Sequence, residues 1–189
     1  MKYKRINVEE DSLPCFTSYS GELGDDGKTI SLATELVHLL IEKKLTVSTA
    51  ESLTGGLMGA YITSVSGSSA IYSGGVVSYT NEVKMSVLGV DRQTVDKYTE
   101  VSFECAYEMA RGVKDLMGSN IGISFTGYAG PTGGNEHDPV GTVYAGIVYA
   151  HEAAVYRLSF TNEVSRAGVR LGTVYFMLES LIKMLRAES

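Results

Sequence analysis

LTVSTAESLTGGLMGAYI, residues 45–62, sets an apolar, β-branched run against a Thr-Gly-Gly turn and then a second apolar run. The part ending at Glu51 reads as a buried strand, and the part from about Thr54 to Thr63 reads as a helix. A strand that turns through glycines into a helix is the repeating unit of α/β domains. Ser52 stands at that junction, between Glu51 and Thr54-Gly55-Gly56. As a helix N-cap it would accept bonds from N–H groups two or three residues on. As a nucleophile it would use the same position, because free N–H groups and the positive end of the helix dipole face an oxyanion there.

Working outward, Ala33, Leu36, Val37, Leu40 and Ile41 fall on one helical face before this stretch. After it, IYSGGVVSYT from Ile71 reads as a strand. Asn81 is the predicted cap of a short helix carrying Glu82, Lys84 and Met85. A helix over 102–117 places Phe103, Ala106, Ala110, Val113 and Met117 on its buried face and stops at Gly118. IGISF is the next strand, followed by the loop TGYAGPTGGNEHDPVG. VYAGIVY and VYRLSF, joined by AHEAA, form a hairpin. The last helix carries a stripe at Leu171, Val174, Tyr175, Leu178, Leu181, Ile182 and Leu185. Helices alternating with strands, then a hairpin, predict an α/β protein with a single three-layer α/β/α domain and a mixed sheet. Residues 1–28 are polar and turn-rich, and read as an N-terminal extension, loose or packed on the surface. Residues 29–189 form the domain.

Bulk properties narrow the function. A chain of 189 residues most simply makes one domain. A net charge of −6, with no tract dense in Lys or Arg, argues against nucleic acid as a partner. No apolar run approaches the ~18 residues that span a bilayer, and no apolar stretch follows the basic N-terminal residues, so neither a membrane partner nor a signal peptide is expected. Cys15 and Cys105 form no disulfide or metal pattern, which fits a cytoplasmic location.

Three glycine-rich segments follow strand-like runs: SLTGG at 52–56, SGG at 73–75 and TGYAGPTGG at 126–134. In an open α/β sheet, ligands bind beyond the carboxyl ends of the strands. Gly55, Gly56, Gly130, Gly133 and Gly134 either make turns there or let N–H groups approach an anion. Neither the P-loop nor the dinucleotide spacing is present. A serine nucleophile needs a base. His38 lies in a helix, His151 in the hairpin turn and His137 in the long loop, so no Ser-His-Asp arrangement emerges. Glu136, His137 and Asp138 are consecutive and do not easily converge on one ion, so no metal is expected. Lys84 is the remaining candidate base. Its plain alternative is a solvated helix lysine paired with Glu82.

Taken together, TAESLTGG, GGVVSYTNEVK, TGYAGPTGG and PVGTV, in this order, resemble the CinA C-terminal-domain family over about residues 30–186. The stand-alone members of that family are nicotinamide-mononucleotide amidohydrolases. The resemblance implies an α/β/α fold and a cofactor-free serine amidase that converts nicotinamide mononucleotide and water to nicotinate mononucleotide and ammonia. It implies Ser52 as nucleophile and Lys84 as its partner, with Tyr79 in the same segment. Thr54 and the glycines behind it, with Thr126 and Gly127, are expected at the substrate, and Arg166 or Arg170 on its phosphate. Larger CinA proteins carry a further N-terminal pyrophosphatase-type domain. Residues 1–28 are too short for one, so that second activity is expected to be absent. Asp138 stands where a lysine is common, and FTNEVSR is longer than usual ahead of the last helix. The alternative function is a non-catalytic nucleotide-binding or competence-related partner protein. Tyr-rich strands suggest a homodimer.

Overall fold

The computed structural model describes residues 4–7, 27–161 and 163–187. Its centre is a six-stranded sheet. The chain enters it with β1 (Lys4–Asn7) and continues through α1 (Gly27–Lys43), β2 (Val47–Glu51), α2 (Leu57–Thr63) and β3 (Tyr72–Val77). Three helices follow, α3 (Asn81–Leu88), α4 (Arg92–Tyr98) and α5 (Phe103–Met117). Then come β4 (Ile121–Gly127), β5 (Thr142–Tyr149), β6 (Glu152–Ser159) and α6 (Arg166–Ala187). The strand order is β1-β6-β5-β4-β2-β3. β2 runs parallel to both β3 and β4, while β5 is antiparallel to β4 and to β6, so the sheet is mixed. The expected α/β/α architecture is present. α1, α2 and α6 pack together, and the buried residues of α1 (Ala33, Leu36, Val37, Leu40) join those of α6 in the main core. On the other side, α3 and α4 pack on α5, which lies against β2, β4 and β5. Each fully buried Leu or Val in these layers contributes roughly 1.5–3 kcal/mol of transfer free energy.

The connections explain where a ligand belongs. From β2 the chain passes through α2 to β3 on one side; from β3 it passes through α3, α4 and α5 to β4, on the other side of β2. The winding reverses at β2, and the crevice at the carboxyl ends of β2, β3 and β4 is the topological switch point.

Local chemistry sets the helix ends. The Ser102 hydroxyl accepts from Cys105 N–H at 3.1 Å to start α5, and Gly118 ends it in the left-handed conformation. α3 is capped by Thr80, whose hydroxyl accepts from Val83 N–H; Asn81, expected as the cap, is already the first helical residue. α4 was not expected: it is seven residues long, RQTVDKY, with only Thr94 buried, so it carries no apolar period. The hairpin connection is tighter than AHEAA, because β6 begins at Glu152 and only Ala150 and His151 turn. Within the N-terminal extension, read as loose or packed on the surface, Lys4–Asn7 pairs in parallel with Ala154–Arg157 as the edge strand. The extension's other residues up to 26 lie outside the described residues, and Gly27 and Lys28 already belong to α1. Among the described residues, no helix is long and apolar enough to cross a membrane.

Candidate active site

Glu51 closes β2 and is buried among β2, β3 and α2. Its Oε2 accepts from Gly56 N–H (3.0 Å) and Met58 N–H (3.1 Å), and its Oε1 from Gly59 N–H (2.9 Å). A carboxylate at the positive end of a helix, taking three of its unpaired donors, is a strong cap. This corrects the reading of Ser52 as the cap. α2 begins at Leu57, later than expected, because Gly55 (φ 61°) and Gly56 (φ 93°) take left-handed conformations that continue the turn. Ser52 is thereby released from capping, and the α2 donors are occupied by Glu51 rather than open to an oxyanion.

Ser52 is fixed by its backbone. Its N–H donates to the Phe125 carbonyl (3.0 Å), extending the β2–β4 pairing, and its carbonyl accepts from Gly55 N–H (3.1 Å). On the adjacent strand, Ser78 N–H donates to the Glu51 carbonyl (2.9 Å). Lys84, in the first turn of α3, reaches both serines. Its Nζ lies 3.2 Å from Ser52 Oγ and 3.0 Å from the Ser78 carbonyl. Lys84 is 1% exposed, one of the largest fully buried side chains among the described residues. This is not the solvated, Glu82-paired lysine of the plain reading. Burial lowers the Lys84 pKa from its ordinary value, against smaller raising contributions from Cys105, Glu100 and Glu82. The Cys105 thiol, buried in α5, is itself pushed up to about 12 by burial. It therefore stays protonated near neutral pH and gives the lysine no counter-charge there. Glu82 is exposed, and its carboxylate is held below its usual range by hydrogen bonds from its own backbone and from Thr80. A neutral amine that donates to the Ser78 carbonyl retains a lone pair that can accept the Ser52 proton.

Ser52 and Lys84 line a cleft of about 450 Å³ together with Tyr79, Glu100, Thr126, Gly127 and Arg166. Thr126 is held by its hydroxyl, which donates to the Glu100 carbonyl (2.6 Å). Tyr79 is 60% exposed and follows the end of β3; its hydroxyl accepts from Arg166 Nη2 (3.1 Å) rather than meeting Lys84. Arg166 opens α6, and its Nη1 donates to the Gly130 carbonyl (2.9 Å). A second cleft of about 780 Å³ shares Arg166 with the first and is lined by Gly130, Gly133 and Gly134. Thr54, Gly55, Gly56 and Arg170 do not line either cleft. Thr54 is fully buried, its hydroxyl has no partner among the described residues, and its carbonyl accepts from Arg170 Nη2 (2.7 Å). Arg170 is therefore a tie between α6 and the serine loop. Asp138, the departure in the long loop, receives bonds from Tyr144 Oη (2.8 Å) and Arg157 Nε (3.3 Å), so its charge is met within the protein.

Sequence reasoning missed Glu51, Ser78 and Glu100. Glu51 carried a usable signal: a carboxylate at the end of a strand with glycines five and eight positions on matches a cap for the following helix. Ser78 and Glu100 carried none, since strand register and the path after α4 bring them to the cleft.

The fold and this cleft define an α/β domain with a buried serine–lysine pair at its switch point. The model of the CinA C-terminal domain matches residues 29–185, and the chain belongs to that family. A Bacillus subtilis (strain 168) protein named as competence-damage inducible is 45% identical over 155 residues, 82% of this chain and 36% of that protein. A CinA-like protein of Thermotoga maritima is 41% identical over 151 residues, 80% of this chain and 36% of its own. The chain thus spans about a third of the length of these relatives. Among solved structures, the competence/damage inducible protein CihA from Agrobacterium tumefaciens superposes with a TM-score of 0.81 at 35% identity. That match covers 84% of this chain and 96% of the other. A CinA superfamily protein from Klebsiella pneumoniae 700603 gives 0.80 at 33% identity, with 84% and 98% covered.

Proposed function

We propose that the chain hydrolyses the carboxamide of nicotinamide mononucleotide to nicotinate mononucleotide and ammonia. The observation that carries this is the 3.2 Å contact between Lys84 Nζ and Ser52 Oγ, both buried at the base of a cleft. Neutral Lys84 takes the proton of Ser52 as Oγ bonds to the amide carbon. In this reading the oxyanion is held by the Leu53 N–H, which is next to the nucleophile and has no partner among the described residues. Protonated Lys84 then returns its proton to the leaving nitrogen, the C–N bond breaks, and ammonia departs from an ester on Ser52. A water attacks that ester with Lys84 again as base, releasing the nicotinate carboxylate and restoring the serine hydroxyl. Arg166, at the open side of the cleft and paired with Tyr79, is the phosphate ligand in this reading.

The test is ammonia release from nicotinamide mononucleotide, compared with nicotinamide and its riboside. Turnover of the nucleotide that disappears in Ser52→Ala supports the amidase. Tight binding without ammonia favours a nucleotide-binding partner protein instead.

A further inference from the structure

We infer that Glu100 supplies the counter-charge for a cationic ring, so that the cleft selects pyridinium amides over neutral ones; this rests on the amidase reading above. Glu100 lies in the short segment between α4 and α5, and its backbone is pinned from β4 by the 2.6 Å bond that its carbonyl accepts from Thr126. It lines the same cleft as Ser52, Lys84 and Arg166. Its carboxylate is close enough to act on the ionisation of Lys84, Cys105 and Tyr128, three groups on different elements around that cleft. Yet among the described residues the carboxylate has no salt bridge or hydrogen bond.

The nearby cations are already engaged. Lys84 bonds to Ser52 and Ser78, and its burial favours the neutral form. Arg166 bonds to Gly130 and Tyr79. An unpaired carboxylate in a cleft loses water when a ligand enters, and that cost is offset only if the ligand brings positive charge or donors. The cleft thus has a negative group at Glu100 and a positive one at Arg166. Nicotinamide mononucleotide has the complementary pattern, a pyridinium cation at one end and a phosphate at the other. The product carries a carboxylate where the amide was, and Glu100 repels it, which favours release. Glu100 is not the base, because the Ser52 hydroxyl is held by Lys84 and no bond joins it to Glu100.

The test compares nicotinamide mononucleotide with its 1,4-dihydro form, which keeps the carboxamide, ribose and phosphate but has a neutral ring. Binding is measured by calorimetry in a Ser52→Ala background, with and without Glu100→Gln. With Glu100 present, the cationic form is expected to bind at least about tenfold tighter, and Glu100→Gln brings the ratio close to one. Glu100→Asp, which keeps the charge, retains a preference. A ratio near one with Glu100 present overturns the inference, as does a ratio that Glu100→Gln leaves unchanged. Equal loss of both ligands also overturns it, because Glu100 would then hold the carboxamide rather than the ring charge. Wild-type ammonia release is measured alongside. A persistent preference without ammonia keeps the charge selection and sinks the amidase reading; ammonia without a preference does the reverse. Failure of the Glu100-containing protein to bind either form overturns the charge selection, and where no ammonia is released it overturns the amidase reading as well.

Discussion

Ser52 and Ser78 lie side by side just beyond the carboxyl ends of neighbouring strands, because Glu51 pairs with Val77 and Ser78 N–H donates to the Glu51 carbonyl. Lys84 bridges them, touching the hydroxyl of one and the carbonyl of the other. The bridge fixes the amine between the two serines, and in the proposed reaction the carbonyl orients it while the hydroxyl is the group it would activate.

Ser52→Ala removes only the second of these. The backbone of residue 52 is held by Phe125 and Gly55 regardless of its side chain. Stability should change by about 1 kcal/mol or less, while kcat falls by about a thousandfold or more. Thermal melting and ammonia release on the same sample check both parts. A variant that melts normally and still turns over would remove Ser52 from the mechanism.

Glu51→Gln tests whether releasing Ser52 from capping matters. Glutamine replaces one acceptor oxygen with an N–H₂, which must face a backbone donor of Gly56, Met58 or Gly59. The loss of a buried bond costs about 1–3 kcal/mol, a fall in Tm of roughly 2–4 °C per kcal/mol for a chain of this size. The loop carrying Ser52 loosens with it, so kcat should fall more than KM rises. If melting drops while kcat holds, Glu51 serves the fold alone.

The sequence made the strand–turn–helix at 45–62 and the hairpin legible as short apolar runs bounded by turn residues, and the α1 and α6 stripes legible by helical spacing, although Ile41, read on the α1 face, is exposed. It also placed Ser52 and Lys84, through motifs, although their contact spans 32 residues and depends on β2 and β3 being neighbours. Caps were less legible. Ser52 and Asn81 both suit capping by type, but Glu51 and Thr80 occupy the donors because turn geometry, not residue preference, decides which side chain reaches them. β1 was missed because four residues pairing at a sheet edge carry too little pattern. The two arginines of α6 were indistinguishable in sequence, being one helical turn apart. Only the packing of α6 against the Thr54 loop separates them.

That separation is testable. Arg166 faces the cleft, whereas Arg170 holds the Thr54 carbonyl. Arg166→Ala should raise KM for nicotinamide mononucleotide tenfold or more, about 1.4 kcal/mol, with little change for the riboside and little change in Tm. Arg170→Ala should lower Tm and depress both substrates alike. An equal effect of Arg166→Ala on nucleotide and riboside would exclude phosphate recognition by that residue.

The final prediction concerns the charge on Lys84. Burial lowers the Lys84 pKa from the ordinary 10.5, outweighing the raising effects of the carboxylates of Glu100 and Glu82. The base form is therefore populated at lower pH than for a free lysine, and kcat/KM should rise with pH through an ionisation below 10.5. Glu100→Gln removes a group that raises this pKa, so the limb should move to lower pH. Stability follows from the same shift. Between the folded value and 10.5 the unfolded chain binds more protons, so this group's contribution to stability rises with pH across that interval and is a cost below it. Lys84→Met keeps the volume and removes the cost. It should abolish turnover yet melt no lower than wild type near pH 7, with any advantage shrinking as pH approaches 10.5. Lys84→Arg, permanently charged, should be inactive and less stable. The checks are pH–rate profiles and melting curves across the same pH series. An active arginine variant would show that residue 84 supplies charge rather than accepting a proton, and the base would then have to be another group in the cleft.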